Sequence, residues 1–124
     1  MLKRILTGVV LAVMLTGGGV AGPLEEAVVA YQRGDYATAL RLWRPLAEQG
    51  DAGAQYNLGV MCVRGMGVQQ DYVEAHMWFT LAASRYANSE NRERAVQNVD
   101  RAASHMAPTQ IAEAQKLAQE WKPK

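Results

Sequence analysis

The sequence predicts an all-α fold, a stack of six helices arranged as about three antiparallel pairs. Three observations predict it. First, Asp35-Tyr36 recurs as Asp71-Tyr72, 36 residues later, and the segments after each pair match at Ala39/Ala75 and Ala47/Ala83, with Trp43 opposite Phe79. A period in the mid-thirties with helical texture marks stacked helical repeats. Second, apolar residues recur at three- and four-residue steps, and no segment alternates long enough to argue a strand. Third, short Gly-, Asp- and Pro-marked breaks separate these segments.

The elements follow in order. Lys3-Arg4, the apolar run Ile5–Leu15 and the small residues up to Gly22 read as a secretory signal over residues 1–22, cut near Ala21. An uncleaved anchor is the competing reading, but the run is short for a span of about 20 residues. The mature domain is then residues 23–124, in the periplasm or secreted, with no stable membrane insertion. Its first helix opens at Pro23 with Glu25 and Glu26 in the first turn, where Pro and acids suit a helix start. Gly34 stops it. Asp35 caps the second helix, which carries Ala39, Leu42, Trp43 and Leu46 to about Gln49; Pro45 should kink or shorten it. The third helix spans Ala52–Arg64. Ala54, Leu58 and Met61 share one side and Tyr56, Val60 and Val63 the other, so contact on two sides is expected. Gly59 costs about 1 kcal/mol relative to Ala and suits a close helix neighbour.

Residues 65–70 form a loop. Asp71 with Glu74 is a capping-box-like start for the fourth helix, which buries Ala75, Trp78, Phe79 and Ala82. After a break at Tyr86–Ser89, Ala95, Val96, Val99, Ala102, Ala103 and Met106 repeat at three- and four-residue steps, the inward stripe of a fifth helix. The last begins at Pro108 and turns Ile111, Ala114, Leu117, Ala118 and Trp121 inward; Lys122–Lys124 should fray.

Residues 54–78, AQYNLGVMCVRGMGVQQDYVEAHMW, resemble the Sel1-like repeat, a relative of the tetratricopeptide repeat. The matching positions are Ala54, Leu58-Gly59, Gly65-Met66-Gly67-Val68, Asp71-Tyr72, Ala75 and Trp78. Cys62 stands where that family usually has Tyr. Residues 27–50 resemble the plainer tetratricopeptide form, and residues 92–121 the end cap of short bacterial members. The resemblance implies a right-handed superhelical stack that holds other proteins or peptides, often in bacterial envelopes. It also implies that the first helix of each pair lines the concave side. Tyr56, Asn57, Val60, Val63 and Arg64 would then face a partner, while Leu58, Gly59 and Cys62 pack. Cap helices after Ser89 could instead cover this strip.

Composition narrows the function. Without residues 1–22 the chain holds 11 Lys and Arg against 12 Asp and Glu, a net charge of −1, so neither nucleic acid nor an anionic membrane is an evident partner. Cys62 is the one cysteine, so no internal disulfide forms, and 49% apolar residues must supply the core. His76, His105 and Cys62 match no metal-ligand spacing. Neither histidine sits in a nucleophile motif with Ser84 or Ser104. Gly65-Met66-Gly67 follows a helix and lacks a Lys, so it reads as a turn rather than a phosphate loop. Helical spacing places Trp43, Trp78 and Trp121 in the core. The expectation is a non-enzymatic module without cofactor or metal that binds a protein or peptide. The alternatives are an envelope enzyme acting on peptidoglycan or β-lactams, and a self-associating structural subunit.

Overall fold

The computed structural model describes residues 22–124, so the leader expected over residues 1–22 lies outside the described residues save for Gly22. Six helices form, with no strand among the described residues: α1 Pro23–Gln32, α2 Tyr36–Gln49, α3 Ala52–Arg64, α4 Tyr72–Arg85, α5 Ser89–Ala103 and α6 Pro108–Glu120.

Helix starts follow the local chemistry. The side chains of Asp35, Asp51, Asp71 and Asn88 each accept from a backbone N–H three residues on, at 3.2, 2.8, 3.0 and 3.1 Å. Each satisfies a donor that the first turn leaves free. Asp71 makes only half of the expected capping box, because Glu74 Oε1 accepts from Trp78 Nε1 at 3.4 Å instead. Pro45 does not shorten α2, which runs unbroken to Gln49. Pro45 and Arg41, whose carbonyl loses its helical donor, both lie on the exposed side where water can replace the bond.

The first four helices pack in chain order: α1 on α2, α2 on α3, and α3 on α4. Both α5 and α6 pack on α4, which is therefore enclosed on several sides. Seven of its residues are buried, among them Trp78, Phe79 and Leu81. The core is built from large side chains set between alanines. Trp43, Leu58, Met61 and Phe79 are all at most 2% exposed, and Ala39, Ala47, Ala54, Ala75 and Ala82 are fully buried. Small residues at the contacts let the helix axes approach, and the large ones fill the gaps. The two repeats coincide in depth: Ala39 and Ala75 are both at 0% exposure, and Trp43 and Phe79 at 2% and 1%.

Gly59 supplies the closest approach. A Cβ placed there would stand 2.6 Å from Phe79 Cε1 and under 3.0 Å from two more ring atoms. Gly67 has a φ of +73°, and a Cβ there would meet the Tyr36 carbonyl oxygen at 3.1 Å. The loop after α3 thus rests on the first residue of α2 and ties one repeat to the other.

Three expectations are corrected. Val96 and Leu117 were expected inward, yet they are 46% and 40% exposed. Among the described residues, helix α6 packs mainly on α4, and its buried stripe narrows to Ala114, with Ile111 and Ala118 half-buried beside it. In α5, Ala95 and Ala102 take the core positions, and Val96 lies one 100° step away. The tail does not fray: Lys124 N donates to the Glu48 carbonyl at 2.8 Å, and Arg85 lies 4.7 Å over the Trp121 ring.

Candidate functional site

Helix α3 contacts both α2 and α4, as its two apolar stripes predicted, but its second stripe is only half-buried. Leu58, Gly59, Met61 and Cys62 pack, while Tyr56, Asn57, Val60 and Val63 are half-buried and Arg64 is exposed. The half-exposed side opens onto two concavities.

The larger lies between α3 and α5 and measures about 520 Å³. One wall is Tyr56, Val60, Val63 and Arg64. The facing wall is Arg94, Gln97, Asn98 and Arg101, spaced so that they share one stripe of α5. Phe79 lies at its base. Tyr72 and His105 also line it, and their rings stack at 4.7 Å with 11° between planes. The smaller concavity, about 280 Å³, lies between α1, α2 and α3 and holds Asn57, with Val28, Tyr31, Gln32, Trp43 and Val60. Val60 borders both. Four of the five expected partner-facing residues therefore share the larger groove, and Asn57 falls in the other.

Arg94, Gln97, Asn98 and Arg101 on α5 were missed from the sequence, which drew attention only to the apolar residues of that helix. Glu93-Arg94 and Asp100-Arg101 are adjacent acid–base pairs, and one helical step separates their directions by 100°. Only the arginines reach the groove lining. Three arginines and no carboxylate line it.

Tyr56 is not a free side chain. Its ring meets Phe79 at 5.4 Å and Tyr86 at 6.4 Å, both edge-on, and its hydroxyl accepts from Asn98 Nδ2 at 2.8 Å. The fifth helix thus forms the opposite wall and a latch on Tyr56, leaving the strip between them open. Arg64 Nη1 donates to the Tyr31 hydroxyl at 3.1 Å, and Tyr31 donates on to Met66 Sδ at 3.5 Å. Gln70 Nε2 donates to the Val63 carbonyl at 2.8 Å, holding the end of α3.

Cys62 and His76, which lie outside the groove, are buried. Cys62 is 3% exposed, and its thiol is pushed up to about 12 by burial first and then by the charges of Glu74 and Asp71, against Arg44. His76 is 3% exposed and held below the usual histidine range by burial, opposed by Asp100. His105 is exposed on the Tyr72 ring. Among the described residues, no three His, Cys, Asp or Glu side chains converge as metal ligands, and no helix is long and apolar enough to cross a membrane. Trp43 and Trp78 are core residues at 2% and 4% exposure, and Trp121 is half-buried.

Helix pairs stacked on their neighbours along the chain define a helical-repeat protein. The Sel1 repeat family matches residues 29–51 and 52–85, and the chain belongs to it as a Sel1-like repeat protein. The boundary between the two matches falls at Asp51, the cap of α3, so the second repeat is α3 with α4. Both segments match that one family, including the first, which resembles the plainer form by sequence. Sel1 repeats indicate a protein-interaction module and are generally non-catalytic. No curated protein and no solved structure matches the chain.

Proposed function

We propose that this protein is an exported, non-enzymatic module that captures a protein or peptide partner in the groove between α3 and α5. The observation that carries the reading is the groove itself: an open, half-apolar channel between the first helices of two successive pairs. Tyr56, Val60 and Val63 offer apolar area, and arginines border it on both sides. Concave surfaces of this kind are where repeat arrays bind. Export rests on the basic start, the apolar run and Gly19-Val20-Ala21. It places the mature domain in the periplasm or outside the cell.

A photo-cross-linking residue at Gln97, inside the groove, tests the capture. The same residue at Glu113, exposed on α6, is the control. In producing cells, Gln97 should yield a discrete adduct and Glu113 none. Equal adducts from both, or none from Gln97, would remove the groove as the binding site. An adduct of two copies of this chain would replace the partner with self-association. Mass spectrometry of the mature protein should show a new N-terminus near residues 21–23, and an intact Met1 in envelope fractions would refute cleavage.

A further inference from the structure

We infer that the groove between α3 and α5 selects an acidic extended segment of its partner, with carboxylates flanking an apolar side chain. This rests on the groove being the partner site. The chain outside the leader carries a net −1, yet the groove lining holds Arg64, Arg94 and Arg101 and no acid. Charge is therefore sorted onto this surface against the balance of the whole. Among the described residues, Arg101 has no carboxylate within ion-pair distance, and neither does Arg64. Arg94 meets Glu90 at 3.0 Å, but both side chains are more than half exposed, and such a pair is readily exchanged for a better one. Guanidinium forks facing a part-buried channel suit incoming carboxylates, because bidentate geometry and lower local solvation strengthen each contact.

The spacing sets the pattern. Arg94 and Arg101 stand seven residues apart on α5, about 10 Å along the axis. An extended chain advances about 3.3 Å per residue and returns side chains to one face every second residue. Acids four residues apart therefore face both arginines within the reach of their long side chains. The residue midway between them shares that face and meets Tyr56, Val60 and Val63. The fitting segment is acid, any, apolar, any, acid. Nucleic acid is disfavoured by the net negative charge.

Fluorescence anisotropy with labelled synthetic peptides tests this on the full chain. The probe is Gly-Glu-Gly-Leu-Gly-Glu-Gly, compared with its Gln-for-Glu and Lys-for-Glu versions and with a single-stranded oligonucleotide. The Glu peptide should bind at least about tenfold tighter than the Gln peptide, and raising salt from about 50 mM to about 500 mM should weaken it. Arg94→Glu with Arg101→Glu should abolish that preference and favour the Lys peptide, with unchanged helicity because both side chains are exposed. Equal binding of Glu and Gln peptides, or no binding at about 1 mM, overturns the inference. A preference untouched by the double reversal overturns it too, and so does tighter binding of the oligonucleotide. A Gln97 cross-link that survives the double reversal would leave the groove as partner site while removing acid selection.

Discussion

Replacing Gly59 by Ala should destabilise the protein, although Ala is the better helix former. The added Cβ would lie 2.6, 2.8 and 2.9 Å from three atoms of the Phe79 ring. A Cβ is fixed by the backbone and cannot turn aside, and the ring it meets is a core side chain only 1% exposed. Overpacking of this kind costs up to about 3 kcal/mol. Helix propensity returns about 1 kcal/mol. The net loss is about 2 kcal/mol, or a fall in Tm of roughly 8–15 °C for a domain of this size. Thermal melts followed by circular dichroism, with urea titration, measure it. Gly53→Ala is the control in the same helix, since its Cβ would meet only Asp51 Oδ2 at 3.4 Å. That variant should be neutral or more stable by up to about 1 kcal/mol. Phe79→Leu alone should cost about 1–2 kcal/mol, and the double variant with Gly59→Ala should exceed additivity by more than about 1 kcal/mol, because the clash is with the ring. If Gly59→Ala melts at or above the parent temperature, the close approach of α3 to α4 is not what this glycine serves.

The other predictions are narrower. A thiol reagent should leave native Cys62 unmodified and react upon denaturation, since a pKa of about 12 in place of 9.0 leaves about a thousandfold less thiolate; rapid labelling of folded protein would refute its burial. His76 is held below 6.5 when folded, so the unfolded chain takes up the proton first as pH falls. Its contribution is fully present above about pH 6.5 and declines below it, and His76→Leu should flatten the loss of stability measured by urea titration across that range. Ala107 caps α6 without a side-chain acceptor, while Gln110 Oε1 already receives the Ala107 N–H at 2.8 Å. Ala107→Ser would complete the box and should add about 1 kcal/mol; no gain in Tm would show that the start of α6 does not limit stability.

Helix positions were legible because their signals are local. Asp35, Asp51, Asp71 and Asn88 cap through bonds that span three residues, and Gly34, Gly50 and Gly65 mark the turns with positive φ. The two-sidedness of α3 was legible for the same reason, as was the need for Gly59. The far wall of the groove was not. Asn98 reaches Tyr56 across 42 residues of sequence, and no periodicity announces which polar stripe of α5 will face another helix. The burial of Val96 and Leu117 was misread because a local pattern cannot say which faces of α5 and α6 another helix covers. The docking of Lys124 on Glu48 likewise depends on where α2 happens to lie.

The packing of Gly59 also bears on recognition. Phe79 presses on Gly59, and its ring meets Tyr56 edge-on at 5.4 Å. Tyr56 in turn accepts from Asn98, whose Nδ2 also donates to the Arg94 carbonyl at 3.2 Å. One contiguous set of contacts therefore runs from the helix pair at the core to the arginine wall of the groove. Walls held in this way lose little freedom when a segment enters, so a small groove can bind without a large ordering cost. Core and recognition should then separate by mutation. Gly59→Ala should loosen both, because it displaces Phe79 and with it Tyr56. Arg101→Glu should alter recognition alone, because its exposed side chain makes no contact in that set.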